Sequence, residues 1–223
     1  MKATSLSMIG LRARLSFTSL LRDRSGIAAT EFAFIVPIML VMFFGTVEFS
    51  SGVAVDRKVT LVARALSDLT SQAAPATQQS TSSAVNDAYL QNVFTAGIAI
   101  LYPYQPAPVK ATLSEIYVDS QGVARIQWSK AAIIANGNTQ ATLTASNRNP
   151  TDVVTTLVPT ALLVKQTYLI LSEVSYLYTP TIGYVMAKSG VPLSDVAYTR
   201  PRQAICVTYN GLPAPNPTPC PTP

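Results

Sequence analysis

The stretch IAATEFAFIVPIMLVMFFGTV, residues 27–47, decides the organisation of this chain. It contains 21 residues and a single charge, Glu31. As an α-helix with a rise of about 1.5 Å per residue, the run would be roughly 31 Å long, enough to cross the hydrocarbon core of a bilayer. We therefore predict a transmembrane helix over residues 27–47.

The charge of the chain is concentrated before this run. Residues 1–26 carry five basic side chains and one acidic side chain, a net +4, whereas the formal net charge of the whole chain is +5. A basic segment before an apolar helix favours a cytoplasmic N-terminus, so the rest of the chain is expected outside the cytoplasm. The remainder is nearly neutral, which argues against a nucleic-acid partner.

A secretory signal peptide is the alternative to a retained anchor. Its apolar region has about 7–15 residues and ends in small residues resembling A-x-A. Here the run is longer, and it continues into Glu48-Phe49-Ser50-Ser51-Gly52 without that pattern. The sequence therefore favours a single-pass anchor that is not removed at this end.

Glu31 requires its own explanation, because a carboxylate near the centre of a bilayer costs about 2.5–3.5 kcal/mol on insertion scales. It lies early in the run, where the cost is smaller, and it could snorkel to the cytoplasmic interface. Alternatively, it pairs with a specific partner in an assembly. The residues alone leave both interpretations open.

The stretch Gly26-Ile27-Ala28-Ala29-Thr30-Glu31-Phe32 resembles the processing site of type IV prepilins, G-x-x-x-x-E-[FY]. In that family an aspartyl prepilin peptidase cuts after the Gly, on the cytoplasmic side. The resemblance implies a new α-amino cation at Ile27. A carboxylate such as Glu31 of a neighbouring subunit can neutralise that cation in a medium of low dielectric constant.

A longer pattern is similar to the TadE-like family, minor pseudopilins of tight-adherence (Flp) pilus systems. The family pattern is roughly G-x-x-A-x-E-F-A, three apolar residues and Pro, then leucine-rich sequence and G-x-x-E-F. Residues 26–49 follow it, with Pro37, Gly45 and Glu48-Phe49 in place. Ser50-Ser51 departs from the Gly-Arg of many members. The D-x-S-x-S signature of the von Willebrand A domain, found in a larger related type, does not occur.

A second resemblance lies near the other end of the chain. Glu173-Val-Ser-Tyr-Leu-Tyr-Thr-Pro180 is similar to the V-x-Y-x-Y-x-P strand of this family, and Arg200-Pro-Arg202 to its closing P-R. The resemblance implies a pilin-like fold and partners that comprise a prepilin peptidase, other pseudopilins, the pilus assembly machinery and the membrane. It also implies the bacterial inner membrane, with a periplasmic C-terminal domain.

Pro37 removes one backbone donor from the apolar helix and is expected to kink it. The kink is either simply tolerated or serves as a bend or melted turn for packing against other helices. Beyond Gly52, a stripe at coiled-coil spacing predicts that the helix continues. The stripe consists of Val55, Val59, Val62, Leu66 and Leu69. It faces either the protein's own domain, which we favour, or a partner.

The remaining segments predict an α+β domain with an antiparallel sheet. Composition and turn residues predict a loop over 71–83, a helix over 84–101 and an extended linker over 102–108. A hairpin is expected from strands 111–118 and 123–129, joined by a turn over 119–122. The best strand covers 165–178, and later strands cover 195–200 and 204–209. Residues 130–150 predict a loop or hairpin, and 181–190 a short helix or loop.

The two cysteines, Cys206 and Cys220, would close a 15-residue loop if bonded. A disulfide persists outside the cytoplasm and would contribute about 3 kcal/mol; two free thiols are the alternative. The tail 212–223 has Pro at six of its last eleven positions, which predicts an extended, polyproline-like end.

Catalytic signatures are missing from the sequence. There is no His, which excludes His-based triads and His metal ligands. Nor is there a Walker A motif, a G-x-S-x-G motif or a Gly-rich dinucleotide loop. We therefore expect no enzyme, cofactor or metal.

The sequence predicts a minor pseudopilin with five parts. An uncleaved, membrane-anchored periplasmic scaffold or binding protein is the alternative, and an anchored hydrolase without His is a third, weaker one. The predicted parts are a cytoplasmic leader (1–26), a transmembrane helix (27–47), a helical extension (48–72), a periplasmic α+β domain (73–211) and a Pro-rich tail (212–223).

Overall fold

The computed structural model describes residues 25–74, 82–180 and 189–210. Residues 1–24 of the predicted leader, residues 75–81 of the predicted loop, residues 181–188, the Pro-rich tail and Cys220 lie outside these residues. By its internal contacts the chain divides into two compact units, one ending at Val47 and the other beginning at Glu48. We call the second unit the outer domain. The predicted boundaries of the five parts remain predictions.

The first element is one continuous helix, α1, over Ser25–Ser71. Apolar side chains surround it on all sides from Ile27 to Val47, and most of them are exposed. From Val55 onward one stripe of apolar side chains is buried, as expected for a helix that packs on a domain, and Leu61 lies outside it and is exposed. The predicted helical extension is thus observed.

The outer domain contains one further α-helix, two 3₁₀ turns and seven strands within the described residues. Their bounds are α2 (Asp87–Ile98), a 3₁₀ turn (Ala99–Leu101), β1 (Ser82–Val85), β2 (Val109–Val118), β3 (Ala124–Ile133), β4 (Thr142–Thr144), a second 3₁₀ turn (Thr160–Leu162), β5 (Thr167–Tyr178), β6 (Val191–Thr199) and β7 (Cys206–Tyr209). The predicted α+β class is confirmed.

Five strands form an antiparallel sheet in the order β4-β3-β2-β5-β6. The predicted hairpin corresponds to β2 and β3, which are longer than expected. Their turn is fixed by Asp119, whose Oδ1 accepts the backbone N–H of Gln121 and of Val123, each at 2.9 Å. Gly122 follows with φ of +84°, a conformation that favours glycine.

The sheet has a core on each of its faces. On one face, the stripe of α1 and the buried side of α2 pack against β2, β3 and β5. α1 and α2 approach closely at Gly97, where a Cβ would lie 2.5 Å from Leu66 Cδ2. On the other face, Val154 and Val158 cover the apolar ends of β2, β3 and β5.

Three predictions about this domain are wrong in part, namely the loop over 71–83, the helix over 84–101 and the extended linker over 102–108. The helix expected over 84–101 begins at Asp87, because the side chain of Asn86 caps it by accepting the backbone N–H of Tyr89 at 2.9 Å. Residues 82–85 instead form β1, which pairs in parallel with β7. Residues 102–108 contain turns and no extended linker. Of the two alternatives for 130–150, the hairpin is observed, since β4 pairs with β3.

Candidate functional site

The predicted processing site lies in the first turns of α1, where its side chains are exposed. Ile27 is 54% and Phe32 69% exposed, and Glu31 is exposed as well. A Cβ at Gly26 would meet nothing within 4 Å. Among the described residues, no ion pair includes Glu31. The motif is therefore presented on a helix surface and takes no part in a core.

Pro37 lies within α1, and the helix continues through it to Ser71 without interruption. No melted turn is present at this position. The kink remains a prediction about the chain in its membrane.

Two motifs that resemble the TadE-like pattern lie close together in the outer domain, the Glu48-Phe49 pair and the V-x-Y-x-Y-x-P strand. Glu48 is buried, and Tyr178, the second Tyr of the V-x-Y-x-Y-x-P strand, lies close enough to Glu48 and Tyr104 to interact electrostatically with both. Burial raises the pKa of Tyr178, while a hydrogen bond with Ser51 lowers it. The end of β5 is thus fixed against the start of the helical extension.

The closing P-R element reaches the other end of the same helical segment. The backbone N–H of Arg202 donates to the carbonyl of Ser71, the last residue of α1, at 2.9 Å. Its guanidinium lies 2.6 Å from a carboxylate oxygen of Asp68. The backbone bond satisfies one of the unpaired carbonyls at the end of the helix, and a cation near the last turn interacts favourably with the helix dipole. Both motifs of the C-terminal half therefore hold residues 48–71 against the domain.

The apolar stripe between these two contacts is buried in the domain's own core. Val55, Val59, Val62 and Leu66 are fully buried against the sheet and α2. This confirms packing on the protein's own domain as the role of the stripe.

Residues 26–67 match the model of the TadE-like protein family. The resemblance inferred from the sequence is thereby confirmed over this segment, which begins at the predicted processing glycine. The TadE-like match points to a protein associated with tight-adherence (Flp) pili. The TadE-like family is structural rather than catalytic. Comparison with curated proteins and with solved structures finds no match.

The TadE-like segment also contains the membrane signal. The apolar part of α1 is long and apolar enough to cross a bilayer, and its most apolar window has no buried residue in the isolated chain. One such helix near the N-terminus suggests a single-pass membrane anchor.

A buried polar cluster beneath β7 was not predicted from the sequence. Glu115 is fully buried, and its Oε1 accepts the backbone N–H of Val207 at 2.5 Å. The indole N–H of Trp128 donates to the carbonyl of the same Val207, also at 2.5 Å. A signal was present in the alternation of β2, because Glu115 follows Val109, Ala111 and Leu113 on the core face.

Cys206 packs against Tyr168 at the edge of this cluster and is disulfide-bonded. Since Cys220 lies outside the described residues, the pairing of Cys206 with Cys220 remains a prediction. Among the residues that the structure describes, no group of three or more Asp, Glu, Cys or His side chains could hold a metal ion.

Proposed function

We propose that this chain is a minor pseudopilin or assembly component of a tight-adherence pilus, cut by a prepilin peptidase after Gly26. The observation that supports it most is the TadE-like match over residues 26–67, which starts at the cleavage motif itself. In this proposal the leader lies in the cytoplasm, α1 crosses the bacterial inner membrane, and the outer domain lies in the periplasm.

The two parts of α1 have separate roles in this proposal. Residues 48–71 are committed to the core of the outer domain. From Ile27 to Val47 the large apolar side chains stay exposed, and this surface needs an apolar environment. Lipid provides it before assembly, and the helices of neighbouring pseudopilins provide it within an assembly.

Glu31 acts after cleavage. Removal of the leader creates an α-amino cation at Ile27, and Glu31 of a neighbouring subunit neutralises it in the apolar interior. An exposed carboxylate on an apolar helix is costly in lipid unless such a partner is found. The exposed position of Glu31 is compatible with this pairing.

Intact mass and N-terminal sequencing of the membrane-extracted protein test the processing step. We expect a chain beginning at Ile27 in cells that contain the peptidase, and an uncut chain for Gly26→Leu. A wild-type protein that still begins at Met1 would refute processing and favour the uncleaved scaffold. Normal assembly of pili in a strain that lacks this chain would refute the assembly role.

A matched pair of variants separates assembly from cleavage. Glu31→Ala is expected to leave cleavage largely intact while strongly reducing incorporation into sheared filaments. Thr30→Ala is the control, because the Thr30 hydroxyl donates to the carbonyl of Ile27 in the same helix, at 2.8 Å. Normal incorporation of Glu31→Ala would identify Glu31 as a residue that snorkels to the interface.

A further inference from the structure

The β1–β7 pair is the smallest sheet of the outer domain. Each strand has four residues, they pair in parallel, and they form a sheet separate from the five-stranded one. A two-stranded sheet is marginal on its own in water. Its position therefore depends on what attaches it to the rest of the domain.

The attachment at its centre is made by two buried side chains. Glu115 from β2 accepts the N–H of Val207, and Trp128 from β3 donates to the C=O of Val207. These two residues are direct cross-strand neighbours in the sheet. Together they occupy both backbone groups of Val207, as a neighbouring strand would.

We propose that Glu115 and Trp128 form a releasable clamp on the backbone of Val207, and that its opening frees the β1–β7 pair from an otherwise folded outer domain. The clamp contains only two hydrogen bonds, although all three residues are buried. Opening it exposes one four-residue strand and its partner and leaves the five-stranded ladder intact.

Further contacts of β7 lie at the rim of the clamp. The ring of Tyr209 lies 6.0 Å from that of Trp128, and the Lys130 ammonium lies 4.8 Å above the Tyr209 ring. The hydroxyl of Tyr209 hydrogen-bonds with the carboxylate of Asp87, which also lies 3.5 Å from Lys130. Lys130 and Asp87 are partly exposed, so their ion pair contributes little and is sensitive to salt. Tyr209 is buried and packs in the main core with Val85 and Val207, so opening the clamp also has to expose these side chains.

The protonation of Glu115 controls the clamp. Burial raises the pKa of Glu115 to about 8, against the lowering effect of the Val207 N–H and the Trp128 indole. Tyr168 on β5 interacts electrostatically with Glu115, and the ring of Tyr117 on β2 packs against that of Tyr168. The other titratable groups near β7 interact with one another at the rim of the clamp; they are Lys130 on β3, Asp87 on α2 and Tyr209 on β7. Among the described residues, no cation forms an ion pair with Glu115, since Lys130 is paired with Asp87.

The direction of the pH effect follows from that raised pKa. A carboxyl that binds its proton more tightly when folded stabilises the closed clamp fully below its ordinary pKa of about 4.3. This stabilisation is lost as the pH rises through about 8. Between these limits the opening equilibrium constant increases about tenfold per pH unit, because opening lets the carboxyl ionise in water.

Hydrogen exchange of the full-length protein in detergent micelles, followed by mass spectrometry, tests the proposal. The readout is a peptide covering residues 203–210. Intrinsic amide exchange increases about tenfold per pH unit, and clamp opening adds a second factor of about ten. From pH 5 to pH 7, we expect exchange of this peptide to increase about ten-thousandfold, and that of peptides from β2 and β5 only about a hundredfold.

Three variants test whether ionisation of Glu115 causes the pH dependence of exchange in β7. Glu115→Gln keeps an acceptor for Val207 and cannot ionise, so its 203–210 peptide should accelerate only about a hundredfold. Trp128→Phe removes the indole donor and should exchange faster at every pH while keeping the steep dependence. Glu173→Gln changes a β5 carboxylate that pairs with Arg148 and should behave as the wild type.

Two results would overturn the clamp. The first is an equal pH dependence of the 203–210 peptide in the wild type and in Glu115→Gln. The second is a pH-dependent opening of β2 and β5 together with β7, which would mean global unfolding and no separate release. The second comparison uses only the wild-type protein and so does not depend on any variant folding.

Discussion

Residues 27–47 and residues 48–71 belong to one continuous helix, but their apolar side chains have different surroundings. In the first part, Phe34 is 77% and Met42 69% exposed. In the second, Val55, Val59 and Val62 are completely buried by the sheet and α2. A helix that is apolar all round suits lipid or a bundle of helices, whereas an apolar stripe suits one side of a folded domain.

The comparison shows how one helix can serve two environments. The change occurs near Glu48 and Phe49, where Glu48 is buried and Phe49 is 67% exposed. Beyond this point the apolar stripe predicted from the sequence is the face of the helix that packs on the outer domain. Substitutions in the two parts should therefore affect different properties, membrane retention in the first and domain stability in the second.

The largest effect is expected from charges in the first part. Leu40→Lys combined with Val41→Lys places two ammonium groups near the middle of the apolar run. Each costs about 2.5–3.5 kcal/mol at the centre of a membrane helix, so the pair should shift insertion by about 5–7 kcal/mol. The protein should then be released from membranes by alkaline carbonate extraction.

Leu61→Lys is the control for this experiment. Leu61 lies in the second part of α1 and is 51% exposed, so its replacement should leave membrane retention unchanged. Equal release of the two proteins would contradict the division of α1, as would complete retention of the doubly charged variant.

The second effect concerns the stability of the outer domain. Leu66→Ala removes a fully buried side chain that packs on Gly97, and should lower the free energy of unfolding by about 2–5 kcal/mol. Leu61→Ala makes the same chemical change at an exposed position and should cost less than about 0.5 kcal/mol. Urea unfolding in micelles, followed by the fluorescence of Trp128, the only tryptophan, measures both.

A similar loss of stability for the two alanine variants would mean that the stripe does not pack on its own domain. The choice of Trp128 as the probe strengthens the test, because its ring is buried beside the sheet and responds to loss of the core.

Local patterns in the sequence were sufficient for the parts of the fold whose contacts are close along the chain. The apolar run, the stripe, the hairpin around Gly122 and the strand that ends at Tyr178 all carry a period or a turn residue. Of the β1–β7 pair, only β7 was predicted, as part of the strand over 204–209, whereas β1 and the pairing itself carry neither signal. Its strands are only four residues long and lie far apart in sequence, and Val85 fitted a helical spacing equally well.

The candidate functional residues also fall into a group that was visible in the sequence and a group that was not. The processing motif was visible because its residues are consecutive, and their exposure on α1 is the expected consequence of an apolar helix. The clamp on Val207 was not visible, since it needs three strands to meet. Only the position of Glu115 on the core face of β2 hinted at it, as a carboxyl where the alternation requires an apolar residue.

The smallest effect is expected at the end of the second part of α1, where Arg202 meets Asp68. Their side chains are 57% and 40% exposed, and water and salt weaken such pairs. Arg202→Ala should cost at most about 1 kcal/mol in urea unfolding, and this cost should nearly vanish at 1 M salt. The backbone bond from Arg202 to Ser71 remains in this variant and continues to hold the helix end.

Arg64→Ala provides the matched control, because Arg64 lies on the same helix, within one turn of Asp68, and is exposed. Its loss should leave stability unchanged at either salt concentration. A cost above about 2 kcal/mol for Arg202→Ala, persisting at high salt, would show that packing of the Arg202 side chain fixes the end of α1. The closing P-R element would then be as necessary to the second part of the helix as the buried stripe itself.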